Sequence, residues 1–102
     1  GKLYIGTGQI LQADIKTKEL KALVDNCGGI DGLEKLKDGN YIYSNWKGVI
    51  FITKGSESIK LLDTVDKKNT ADIDFIPGKN LVIVPTFMAN SVEAYILTYI
   101  LK

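Results

Sequence analysis

The sequence contains no histidine. That absence removes the side chain that most often titrates near neutral pH and most often binds zinc, so a Ser-His-Asp triad and a histidine-based metal centre are excluded. Cysteine is nearly missing as well. Cys27 stands alone, which rules out an intramolecular disulfide and a cysteine-rich zinc site. Between Asn26 and Gly28-Gly29, with no histidine and no evident cationic pocket nearby, its expected role is a small apolar filler rather than a reactive thiol. No apolar run approaches the roughly 20 residues that span a bilayer as a helix, and the start Gly1-Lys2-Leu3-Tyr4-Ile5-Gly6 lacks the apolar stretch of a signal peptide. No membrane partner is expected, and the compartment stays open. An excess of one charge is also absent: 13 basic and 12 acidic side chains leave a net charge of +1, so nothing favours nucleic acid as a partner.

What is present is ordinary for a globular chain, with 45% apolar and 25% charged residues in a length of 102. Within it lies an internal correspondence. Ile30-Asp31-Gly32-Leu33 leads to Leu36, the turn Lys37-Asp38-Gly39, and Asn40-Tyr41-Ile42-Tyr43-Ser44; Thr70 to Val84 shows the same order. At an offset of 40 residues, Asn40 maps onto Asn80, Leu33 onto Ile73, Leu36 onto Ile76 and Ile42 onto Val82. A period of this size belongs to the range of propeller blades, each of which needs its neighbours to bury its faces.

The pattern along the chain is that of successive antiparallel hairpins. Lys2 to Gly6, Ile10 to Ile15 and Leu20 to Asp25 read as three strands separated by Thr7-Gly8-Gln9 and Lys16 to Glu19. A helix over Ile15 to Asp25, with Leu20, Leu23 and Val24 on one face, is the weaker reading, because the segment matches Ile59-Lys60-Leu61-Leu62-Asp63 in register. The central unit supplies four strands: Asp31 to Leu36, Asn40 to Ser44, Val49 to Thr53 and Ile59 to Asp63, with Asp38-Gly39 as a strong hairpin signal. A polar crossover from Thr64 to Thr70 precedes Asp72 to Ile76 and Asn80 to Val84, with Pro77-Gly78 standing in for Asp38-Gly39, and Ser91 to Lys102 completes one or two strands. The expected fold is therefore all-β, made of antiparallel β-propeller blades: a partial blade over 1–25, a full blade over 30–63 and a third over 70–102. Closed propellers have about four to eight blades, so these form an incomplete ring unless other chains contribute, and the first unit lacks an innermost strand.

The unit from Ile30-Asp31-Gly32 through Asp38-Gly39-Asn40 to Trp46-Lys47-Gly48-Val49-Ile50-Phe51-Ile52 resembles the senescence marker protein and gluconolactonase family in the spacing of its Asp-Gly pairs, strands and Gly turns. The resemblance implies a six-bladed propeller with a divalent cation, often calcium, near the mouth of the central channel. It assigns to Asp31 the role of metal ligand and general-base carboxylate in lactone or ester hydrolysis. Ala71 takes the corresponding place one period later and cannot coordinate, so the remaining ligands are expected from other blades and no cofactor is expected for this chain alone. Ile30 also departs from the proline usual in the family.

Other candidates have two readings each. Trp46 either lines a sugar or lactone pocket or packs between blades, as Tyr41, Tyr43, Phe51 and Phe75 are expected to do. Asn69 and Asp72 either line the same pocket or serve as a turn cap and, with Asp74, as one face of an alternating strand. The glycine pairs Gly6-Thr7-Gly8 and Gly28-Gly29 lead into no helix and are turns rather than phosphate loops. The functional expectation is a propeller segment similar to metal-dependent lactonases and inactive on its own. Its alternative is a non-catalytic scaffold or a self-assembling blade fragment, whose partners are other blades or further copies of the chain.

Overall fold

The computed structural model describes residues 1–63, 70, 72–86 and 91–97. Among these, ten strands form three antiparallel sheets. The first sheet contains β1 (Lys2–Gly6), β2 (Ile10–Asp14) and β3 (Leu20–Val24). The middle sheet runs β4 (Gly32–Lys35), β5 (Tyr41–Asn45), β6 (Val49–Lys54), β7 (Glu57–Asp63), and the third runs β8 (Asp74–Ile76), β9 (Leu81–Thr86), β10 (Ser91–Ile96). Within each sheet, strands adjacent in sequence pair with one another. The all-β, antiparallel expectation holds, and the segment Leu20–Val24 is a strand rather than part of a helix. No helix among the described residues is long and apolar enough to cross a membrane.

Local chemistry explains the turns. Asp14 Oδ1 accepts from the Lys16 and Thr17 amides at 2.9 and 3.0 Å, which folds the connection from β2 to β3. Between β4 and β5, Asp38 Oδ1 accepts from the Asn40 amide at 3.0 Å while Gly39 takes φ 89°, a conformation that costs other residues about 1–2 kcal/mol. Asn40 Oδ1 then accepts from the Gly55 amide at 3.1 Å, tying this turn to the one between β6 and β7.

β4, β5 and β6 of the middle sheet are packed on both faces, while β7 at its outer edge is largely exposed. Toward the first sheet it presents Leu33, Tyr41, Tyr43 and Phe51, packed with Ile10, Val24, Cys27 and Tyr4. Toward the third it presents Leu36, Ile42, Ile50 and Ile52, packed with Ile73, Val82, Val84 and Leu97. Side chains alternate across a strand, so β5 reads as an unbroken buried run from Tyr41 to Ser44, with each face in a different core. Complete burial of each such aliphatic side chain contributes about 1.5–3 kcal/mol. Tyr41, Tyr43, Phe51 and Phe75 are core residues as expected, and Cys27 is buried filler whose thiol is pushed up by burial.

The outer faces of the flanking sheets carry exposed apolar side chains. Register places Leu3 opposite Ala13, Ala13 opposite Leu20, and Leu11 opposite Ala22, all on the side of the first sheet away from Tyr4 and Ile10. In the third sheet, Ile76, Leu81 and Ile96 form one cross-strand row and Pro85 with Val92 another, on the side away from Val82 and Val84. Leu20 is 64% exposed and Ile96 73%.

The offset of 40 residues does not carry through the third sheet. Leu36 donates to the Asn40 carbonyl, leaving Lys37, Asp38 and Gly39 as the turn, whereas Ile76 pairs with Leu81 and leaves Pro77, Gly78, Lys79 and Asn80. Pro77–Lys79 form a 3-10 turn, and the positive φ of 52° falls on Asn80 rather than on Gly78. Pro77-Gly78 therefore does not replace Asp38-Gly39 in an equivalent turn. The extra residue shifts β9 by one position, and a shift of one exchanges the faces of a strand. Ile42 and Val82 consequently meet across the same core instead of occupying matching places.

Candidate functional site

β4 and β8 are the end strands of their sheets, and they touch. Gly32 makes that approach possible, because a Cβ at this position would lie 2.4 Å from the Ile73 backbone nitrogen and 3.0 Å from Ser44 Oγ. The contact brings the residues flanking it, Asp31 and Asp72, to the same end of the sheet boundary. Asp31 lies just before β4 rather than in it, and its amide donates to the Ser44 carbonyl at 2.8 Å. Its side chain is exposed, as is that of Asp72. Asp72 precedes β8, so it and Asp74 do not form the single alternating strand face that their spacing suggests. Asn69 and Ala71 lie outside the described residues.

The sequence reading missed Glu34. It shares the Gly32 face of β4, directed at the third sheet, and burial holds its carboxyl above the ordinary glutamate range, with the charges of Asp74 and Asp72 adding to the effect. Strand alternation puts Glu34 on the face opposite Leu33, and only the tertiary approach of β8 brings Asp72 and Asp74 near it. Glu34, Asp72 and Asp74 form a region of negative potential at the inner edge of two sheets. Among the described residues, however, no group of three or more carboxylate or thiol side chains is arranged to hold a metal ion.

Trp46 sits at the turn after β5, half exposed, with its carbonyl accepting from the Thr70 amide at 3.4 Å. It is not the buried filler between sheets that its size suggests. The Thr70 hydroxyl also donates to the Asn45 carbonyl at 2.6 Å, pinning the entry to the third sheet against this turn. On the other side of β4, Lys35 Nζ donates to the Tyr4 hydroxyl at 3.0 Å and lies 4.7 Å from the ring centroid. This link raises the lysine, lowers the tyrosine, and joins the first sheet to the middle one.

A cavity of about 250 Å³ opens between the middle and third sheets, lined by Ile42, Ile50, Leu62, Val82 and Tyr95 among others. Its lining offers no carboxylate or nucleophile, and neither Asp31, Trp46 nor Asp72 borders it. The arrangement can accept apolar groups but carries no reacting pair. Comparison of the chain with models of protein families, with curated proteins and with solved structures finds no match.

Proposed function

We propose that the chain is a non-catalytic segment of a β-propeller, a scaffold that works by seating further sheets on its two outer faces. One observation carries this reading: β4 to β6 of the middle sheet pack on both sides, whereas among the described residues the first and third sheets each leave an apolar side uncovered. Contiguous apolar surface of this kind on a soluble protein marks an interaction site. The assembled object would bind, its apolar faces serving as the seats for further sheets. The folded chain at high dilution is expected to enhance the fluorescence of an apolar-surface dye, and Leu20→Ser with Ile96→Ser is expected to remove most of that signal. A folded chain that leaves the dye dark would overturn the scaffold reading.

The clustering of Glu34 with Asp72 and Asp74 favours a second reading. In a ring completed by other blades, these carboxylates and Asp31 would face the central channel, in keeping with the resemblance to metal-dependent lactonases. The missing ligands, and a pocket for a lactone or sugar, would come from those blades. Calcium titration of this chain alone should then give no heat of specific binding. In a complete ring, Asp31→Ala should abolish lactone hydrolysis, and unchanged turnover would sink this reading.

A further inference from the structure

The two bare faces differ in kind, and the middle sheet shows what each is built to meet. On the inner strands the offset of 40 residues preserves facing, so Ile76 of β8 takes the place on the third sheet that Leu36 of β4 takes on the middle one. Leu36 is 4% exposed because the third sheet covers it, and Ile76 is 40% exposed because nothing among the described residues does. The first sheet shows the converse. Leu11 of β2 lies 40 residues before Phe51 of β6, and it pairs with Ile5 as Phe51 pairs with Tyr43. Phe51 and Tyr43 meet the first sheet, while Leu11 and Ile5 lie on its uncovered side.

We propose that a second copy of this chain docks head to tail, the β1–β3 outer face of one copy covering the β8–β10 outer face of the other. The proposal rests on the scaffold reading and gives it a partner. Each internal boundary joins the forward side of one sheet to the backward side of the next, and the new contact continues that sense of stacking from the third sheet into the first sheet of the neighbour. Leu3, Leu20 and Ala22 would meet Ile76, Val92 and Ile96. A pair satisfies both ends at once, because each copy carries one face of each kind, and a closed pair leaves no open contact from which a filament could grow. Using both faces buries more surface than one face would, toward the roughly 800 Å² per partner of a stable interface. Repulsion between copies is small at a net charge of +1.

Size-exclusion chromatography with light scattering, at micromolar concentration, tests the arrangement with Leu20→Lys and Val92→Glu. The wild type is expected to have the mass of two chains. Each variant, folded by circular dichroism, is expected to have the mass of one, and an equimolar mixture to recover the two-chain mass, since it pairs one untouched junction with one that sets lysine against glutamate. A monomeric wild type overturns the proposal, and so does a mixture that stays monomeric. Loss of the dimer in Leu20→Lys but not in Val92→Glu would also overturn it, by showing a symmetric contact of first sheets. Should either variant fail to fold, Leu3→Lys and Ile96→Glu replace them with the same expectations. A monomeric wild type that still binds the apolar-surface dye removes the second copy and leaves the scaffold reading standing.

Discussion

β5 of the middle sheet buries four residues in succession, Tyr41 to Ser44, while β9 of the third sheet alternates between buried and half-buried positions and β2 of the first buries only Ile10 fully. The composition of these strands does not explain the contrast, since Leu81, Ile83, Leu11 and Ala13 are as apolar as the residues of β5. What differs is the number of covered faces. A strand with one solvated side ordinarily places polar residues there, so apolar residues on an uncovered side indicate a face whose partner lies elsewhere.

That contrast predicts a ranking of substitutions. Tyr43→Ala should have the largest effect, about 3–5 kcal/mol, because the ring stacks on Phe51 at 5.0 Å and its hydroxyl donates to Ser58 at 2.7 Å. Denaturant unfolding measures it, and a cost below about 1 kcal/mol would break the distinction between middle and flanking sheets. Gly32→Ala comes next at about 1–3 kcal/mol, because the added methyl meets backbone at the β4–β8 approach. Leu20→Ser on the bare face should change the unfolding of the dilute monomer by no more than about 0.5 kcal/mol. A larger loss would mean that this face is already covered.

Glu34→Gln should have the smallest effect and a sign that depends on pH. The folded-state value of Glu34 is raised, so the native state holds a proton that the unfolded chain has released, and stability falls as pH rises through that window. Removing the charge should therefore raise the melting temperature slightly at neutral pH and leave it unchanged below about pH 4, where both states are protonated. Equal shifts at both values would show that packing, rather than repulsion from Asp74 and Asp72, governs the site.

The hairpins were legible because their turns carry their own chemistry. Asp38-Gly39 both supplies the side-chain acceptor and permits the positive φ, so the β4–β5 pairing could be read from the residues alone. The third sheet was legible in order but not in phase. Both Gly78 and Asn80 can adopt positive φ, and choosing between them decides which side of β9 enters the core; the packing of Val82 and Val84 settles it. Asp31 was singled out through the family resemblance carried by the pair Asp31-Gly32, whereas Glu34 went unnoticed, since its environment comes from β8, which is distant in sequence. Trp46 carried two readings in the sequence, and its position at a tight turn leaves the residue half in solvent.

The tyrosines turn the stacking of sheets into an optical signal. Burial pushes the Tyr43 hydroxyl up to about 12, while Lys35 holds that of Tyr4 below its ordinary value. In a Tyr95→Phe variant, which removes the other described tyrosine raised to about 12, an alkaline titration followed at the tyrosinate absorption band would thus ionise Tyr4 early and Tyr43 late. Because the folded-state value of Tyr43 is raised, the stability it contributes is complete below about pH 10 and disappears as pH climbs through about 12. Its late ionisation would coincide with the opening of the core between the first and middle sheets, so a spectrophotometer could time the separation of two sheets without any attached label.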